Sequence, residues 1–391
     1  MHIILFEDKK WSDFLPLAYT RPVGDLRIGM FKIADKYARL FNCQVSHDTR
    51  AELRLVFPAL ETPGALRINA RLLPDPQVVD AIKKLHPGQT LSWHDTTLAV
   101  NGLVSDENQI NYDGEPLLLE QATDLFSLNG KALKLDFEMS VQGKKSEPLH
   151  ASNVLIGPAE QLFIAPGAKI FASSINTLEG PVYIDLEAEV MEGSHIRGPF
   201  YLGEHATLKM SSKIYGPTTI GPHCKIGGEV SNSVILGYSN KAHDGFIGNS
   251  ILGEWCNLGA DTNTSNLKNN YSHVRTWSYT HQRYEDTGLT FCGLVMADHS
   301  KCGINTMFNT GTVVGVSANI FGGSFPPKHI PSFTWGGSDG FEEYSLHKSL
   351  ETAAKVLERR QIKLTSEMAQ LLTEIFNHTA PQRNNTPQSQ E

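Results

Sequence analysis

The chain has 391 residues, 40% of them apolar, and a formal net charge of −8 without a basic block. That leaves room for two domains with an ample core and argues against nucleic acid as the main partner. No apolar run approaches membrane-spanning length. The opening Met1–Glu7 run, followed by Asp8, Lys9 and Lys10, is too short for a signal peptide and lacks a small-residue cleavage site. The cysteines at 43, 224, 256, 292 and 302 are odd in number and unpatterned; they read as thiols of a reducing cytoplasm, the expected location.

Residues 1–150 predict an α/β domain. Strand-like runs at Ile3–Phe6 and Leu66–Asn69 alternate with helical patterns at Met30–Phe41 and Val78–Leu85.

Further on, Ile184, Val190, Ile196, Leu202, Leu208, Ile214, Ile220 and Ile226 keep an unbroken period of six. Chance gives such a run odds below roughly one in a thousand at this composition. A period of six is that of a β-helix with three short faces per coil, in which every sixth side chain points into one prism-shaped core. Residues 151–335 therefore predict a left-handed parallel β-helix of hexapeptide repeats, on the order of nine coils at about 18 residues each. Ile164 and Ile170 begin the register, Leu178 rejoins it after a slip, and Phe246, Leu252 and Leu258 extend it. After an interruption it resumes at Met296, Cys302, Phe308, Val314 and Ile320. Glycine often follows the core position, as at Gly203, Gly221, Gly227, Gly253 and Gly259, where a corner needs positive φ or close backbone approach. Residues 336–378 carry helical spacing and predict a C-terminal helical segment. The polar tail 379–391 has no apolar anchor and predicts disorder.

Chemistry is expected where the repeat breaks. There the chain reads Asn240-Lys241-Ala242-His243, Phe246-Ile247-Gly248, Leu252-Gly253 and Asn257-Leu258-Gly259-Ala260. This resembles the acetyltransferase half of the GlmU family, bifunctional glucosamine-1-phosphate acetyltransferases and N-acetylglucosamine-1-phosphate uridylyltransferases, with spacing after the histidine preserved. The resemblance implies His243 as general base, taking a proton from the sugar amine as that amine attacks acetyl-CoA; imidazole suits this because its ordinary pKa lies near neutrality. It further implies Asn257 and Lys241 at the sugar phosphate and Asn266 near acetyl-CoA. Each also has a plainer reading: a surface turn for His243, a corner ladder for Asn257, a solvated loop for Lys241. Phe246 departs from the family's phosphate-binding tyrosine, and Asn232 stands where the family has a substrate lysine.

Residues 270–291 keep no register and predict a long loop ejected from the coil. Within it Arg275 and Arg283 either clamp phosphates, those of acetyl-CoA or of the sugar, or pack on a neighbouring subunit. His273 and His281 lack a nearby carboxylate or cysteine pattern of ligand spacing, which makes zinc improbable.

In the N-terminal half, Thr20-Arg21-Pro22 with Leu26-Arg27-Ile28-Gly29 resembles divergent GlmU-like proteins with a shortened, atypical nucleotidyltransferase domain. The resemblance then reaches about residue 345. It implies nucleotide phosphates near Arg21 and Arg27, although an Arg–carboxylate pair tying down a loop reads equally well. The family's Mg²⁺-binding aspartate has Asn69 in its place, so Asp75 or another acid substitutes, or the metal rests on nucleotide phosphates.

Two functions follow. One is an enzyme of sugar-nucleotide synthesis that uses acetyl-CoA, a sugar phosphate and a nucleoside triphosphate with Mg²⁺, making UDP-N-acetylglucosamine or, in a variant, joining glucose 1-phosphate to dTTP. The other is a non-enzymatic trimeric scaffold that binds sugar nucleotides. A homotrimer is expected either way.

Overall fold

The computed structural model describes residues 2–60, 62, 64–102 and 108–384. The chain divides into two compact units, one of residues 1–27 and 31–122, the other of residues 28–30 and 123–391.

Six strands form the sheet of the first unit. His2–Phe6 lies between Gln44–Asp48 and Leu66–Asn69, parallel to both. Thr96–Asn101 runs antiparallel to Leu66–Asn69 and to Thr90–Trp93, and Gln109–Asn111 closes the far edge. Ile3, Ile4 and Leu5 are all buried, as a continuous apolar run in a central parallel strand requires, since both faces are covered. Both expected helices form, each bounded by local chemistry. Ile33–Phe41 stops at Asn42, whose φ of 47° lets its N–H reach Ala38 O. Pro76–Lys83 starts at Asp75, whose carboxylate accepts from the N–H groups of Gln77 and Val78.

Charge, rather than apolar packing, ties the end of the central strand. Glu7 accepts from Arg50 at 2.9–3.0 Å and from Val23 N at 2.9 Å. Asp8 accepts from Arg71 at 2.6–3.1 Å and from Asn69 at 2.9 Å. Arg71 is 2% exposed and spends a further donor on Leu119 O at 2.7 Å, so the guanidinium fork is matched on several sides.

The second unit is a parallel β-solenoid, and all eight residues of the unbroken register are at most 2% exposed. They stack wall by wall: Ile184 over Leu202 over Ile220, Val190 over Leu208 over Ile226, Ile196 over Ile214 over Val230. One wall counts nine parallel strands. A hairpin of Thr334–Gly337 and Gly340–Glu343 ends another wall antiparallel, covering an edge that would otherwise invite pairing.

The register departs from expectation at two places. Leu178 is 66% exposed, and Ile175 fills the core slot, stacked on Ile196. Phe246 is only half-buried and Ile247 takes its place over Val230. In both coils the chain between walls is longer or shorter than the regular repeat, so the inward position moves along the sequence.

The glycines after core positions serve close approach. A Cβ on Gly221 would lie 2.0 Å from Leu236 O, and one on Gly227 would lie 2.4 Å from Ala242 O. Positive φ falls instead on larger residues of one corner, among them His205, His223, Tyr238 and Trp255. Their rings stack in sequence with centroids 5.1, 4.9 and 4.3 Å apart, close to the spacing of the strands beneath them.

Three further elements complete the unit. The helix Asn129–Val141, grouped by sequence with the first domain, places Phe137 edge-on to Tyr183 of the solenoid. The helices Leu346–Glu358 and Ser366–His378 bury Ala353, Leu357, Leu371, Leu372 and Ile375. The chain stays ordered past residue 379, contrary to expectation. Ala380–Asn384 is helical, and Arg383 lies 4.2 Å over the Phe376 ring and 3.2 Å from Glu343. A cation–π contact is an anchor that an apolar pattern cannot reveal; residues 385–391 of that tail lie outside the described ones. Among the described residues no helix is long and apolar enough to cross a membrane.

Candidate functional site

The site forms where the solenoid shortens. Ile220 stands over Ile235 and Ile226 over Lys241, a tighter coil than the regular ones. The residues that follow core positions 190, 208, 226, 241 and 258 align on one corner, and there a groove of about 520 Å³ opens. His243 and Asp244 are exposed on its rim with Asp261, while Met191, Lys209 and Met210 come from preceding coils. Gly227 and Gly228 form the stretch without side chains. Sequence reasoning missed Asp244, Asp261 and Lys209, although the register contained the signal: each follows a core slot of the same wall.

Lys241 points into the solenoid rather than into the groove. It occupies the core line above Ile226, is 1% exposed, and donates to Gly227 O at 2.9 Å and His243 O at 2.6 Å. Burial pushes its ammonium down to about 8, against the pull of Asp244 and Asp261. The resemblance matched the residue type, but the shortened coil turns the side chain inward.

Asn257 is exposed on the outer face of its strand, in register with Asn240 and Lys301. Asn266 donates to Asn249 Oδ1 at 2.8 Å and is half-buried. The Phe246 ring folds back over Gly248, where an added Cβ would meet it at 2.6 Å, and Phe246 N donates to Asn263 Oδ1 at 2.8 Å. Asn232 sits at a positive φ of 42°, with its Oδ1 buried and unpartnered among the described residues.

Residues 270–291 are not an irregular loop: Arg275–Ser278 and Arg283–Asp286 pair as an antiparallel hairpin. This brings carboxylates to the histidines that appeared to lack them, Asp286 3.3 Å from His273 and Glu285 2.8 Å from His281. Arg283 is held by Glu285 at 2.9 Å and Arg275 donates to Tyr284 O at 2.6 Å, so neither guanidinium is wholly available to a phosphate. The hairpin's Trp277 stacks on buried His329 at 4.3 Å.

In the first unit, Arg21 and Arg27 are buried, and Arg21 reaches Asp25 at 3.4 Å. Asn69 is saturated: it donates to Asp8 and to Thr97 O, and accepts from Arg71 N. Asp75 caps its helix. Among the described residues no three His, Cys, Asp or Glu side chains gather as a metal site, and the nearest acid to Asn69, Asp8, is taken by Arg71. With Asn69 and Asp8 engaged by Arg71 and Asp75 by its helix N-terminus, these residues do not fit a protein-held Mg²⁺.

Residues 3–145 match the family model described as sugar nucleotidyl transferase. Among curated proteins, the chain is 32% identical over 107 residues to the bifunctional protein GlmU of Methanocaldococcus jannaschii, covering 27% of this chain and 26% of that one. It is 33% identical over 149 residues to a bifunctional sugar-1-phosphate nucleotidylyltransferase/acetyltransferase of Sulfurisphaera tokodaii, covering 38% and 37%. The chain thus spans well under half the length of these relatives. Among solved structures, an Arabidopsis UDP-N-acetylglucosamine acyltransferase aligns over 60% of this chain and 98% of its own, at 17% identity and a TM-score of 0.25. The polySia-specific acetyltransferase NeuO aligns over 53% and 94%, at 11% identity and a TM-score of 0.30.

Proposed function

We propose that this divergent GlmU-like chain is a transferase of sugar-nucleotide synthesis that acetylates an amino-sugar 1-phosphate with acetyl-CoA. The observation that carries the reading is His243: exposed on the groove of the broken coil, with the Lys-Ala-His to Asn-Leu-Gly-Ala spacing intact on consecutive turns. In the reaction the sugar amine attacks the thioester carbonyl and His243 takes the amine proton. The C–S bond breaks, and the thiolate leaves to be protonated as CoA. Glucosamine 1-phosphate is the first substrate to test. Phe246, without a hydroxyl and folded onto Gly248, and Asn232, with an unpartnered buried oxygen, favour a sugar phosphate held differently from the family's own. We assign the first unit to nucleotidyl transfer onto the acetylated sugar phosphate, with UTP or dTTP arriving as its metal complex. Catalysis there rests on positioning and charge neutralisation. A homotrimer in the cytoplasm, with acetyl-CoA between neighbouring prisms, completes the proposal and accounts for the openness of the His243 rim.

The test follows CoA release with a thiol reagent, using glucosamine 1-phosphate and acetyl-CoA. Release by the wild type that falls at least about a hundredfold in His243→Ala, the scale of a lost general base, supports the assignment. No release above background with the oligomer intact removes it.

A further inference from the structure

Lys241 is a charged residue in a line of aliphatic ones, and nothing in the reading above uses it. An ammonium inside a β-solenoid is costly unless its donors are matched. Here two of them are matched, one by the turn that carries His243 and one by the turn before it. Nζ donates to His243 O at 2.6 Å and to Gly227 O, on the preceding coil, at 2.9 Å. Those carbonyls belong to the two adjacent turns that frame the groove.

The surroundings are shaped for the ammonium. A Cβ on Gly228 would come within 2.8 Å of Nζ and 2.6 Å of Gly245 O. Gly245 takes a φ of 117°, and a Cβ there would lie 2.1 Å from Thr262 O, so glycine is required at both places. The far end of the turn is fixed separately: Phe246 N donates to Asn263, and Asp244 O accepts from Asp261 N at 3.1 Å. The near end is pinned at the main chain, where Lys241 O accepts from Gly227 N at 2.7 Å, and between that bond and Asp244 it is the Lys241 side chain that holds His243 O.

We propose that Lys241 is a positioning residue whose buried ammonium clamps the carbonyls of Gly227 and His243, fixing the turn that presents the His243 ring to the groove. The inference deepens the acetyltransferase reading and rests on it for the consequence to turnover, although the clamp itself is a statement about structure. The titratable groups whose charge acts on Nζ are the Asp244 and Asp261 carboxylates and Cys302, whose thiol is itself pushed up by burial. Because burial brings the ammonium down to about 8, the clamp loosens as pH rises through that value.

The test uses the full-length protein and Lys241→Met, which keeps an unbranched apolar filling but no donor. Amide hydrogen exchange is read in peptides spanning 225–246, with 182–202 as the reference. Expected in Lys241→Met is exchange at least about tenfold faster in 225–246 and unchanged in 182–202, since local opening reports local bonds. CoA release then falls at least about tenfold in kcat, with KM within about twofold. In the wild type, raising pH from 7 to 9.5 speeds exchange in 225–246 about threefold beyond the intrinsic change, an increment absent from the variant. Unchanged exchange and kcat in Lys241→Met, or equal loosening of both segments, overturns the proposal and leaves a space-filling role. If the wild type releases no CoA, the acetyltransferase reading fails and exchange alone decides the clamp. If the variant does not fold, the wild-type pH series decides it.

Discussion

The solenoid and the N-terminal unit both contain parallel strands, but they are held by different means. In the solenoid the regular coils repeat one instruction, an aliphatic side chain inward at a fixed interval, and stability comes from each coil packing on its neighbours. In the N-terminal unit the central strand ends in two acids, Glu7 and Asp8, matched by Arg50 and Arg71 from distant strands and loops. The first design spreads stability evenly along an axis. The second concentrates it in a few buried pairs whose loss cannot be shared.

That contrast is broken most directly at Arg71. Arg71→Ala leaves the half-buried Asp8 without its guanidinium partner and should cost about 2–3 kcal/mol, below the range of a fully buried pair. Denaturant titration with exchange read separately over 2–122 and 123–384 should place the loss entirely in the first segment. Ile220→Ala, in the middle of the solenoid, should cost about 3 kcal/mol through lost burial and the cavity left behind. Its effect should fade coil by coil away from residue 220; a uniform loss along the solenoid would contradict the neighbour-only picture.

Acid gives a finer comparison, because each unit holds a buried imidazole. Burial drives His329 down to about 3. Burial also lowers His47, but Asp25 and Glu7 pull it back. Both groups bind protons more readily unfolded, so each contributes stability that is present above the ordinary histidine value of about 6.5 and lost as pH falls toward the folded one. Between pH 6.5 and 3 the solenoid should lose about 1.4 kcal/mol per pH unit through His329, and the N-terminal unit less. Denaturation midpoints at pH 7 and pH 5 check this, with His329→Phe flattening only the solenoid's slope.

Most of the solenoid was legible because periodicity is a local signal. Eight residues named from the spacing alone are all in the core. The misplacements at Leu178 and Phe246 occur where a coil changes length, which shifts the inward position without changing composition. Lys241 was misread for the same reason: a lysine beside a histidine reads as a surface pair until the short coil puts it over Ile226. The flanking pattern pointed to His243, which lies exposed on the groove, whereas its groove companions Lys209 and Asp261 lie a coil or more away. The pairs of the N-terminal unit were less legible. Nothing near Asp8 in sequence announces Arg71, whereas Arg21, which read equally as a phosphate contact or as an Arg–carboxylate pair tying down a loop, is buried beside Asp25. Contacts between charged residues of unrelated segments carry no period, so they emerge only when the chain is folded.

The aromatic corner gives the molecule an optical property of its own. Tyr238 and Trp255 stack 4.3 Å apart with planes 17° from parallel, and His223 continues the column. Transition dipoles held that near and that regularly couple, so the pair should give a paired-sign band in near-ultraviolet circular dichroism and depressed tyrosine emission. Both signals depend steeply on the pitch of two successive turns. The fold therefore contains an internal strain gauge, readable in dilute solution without a label, that registers a change in the pitch of the coils carrying Tyr238 and Trp255.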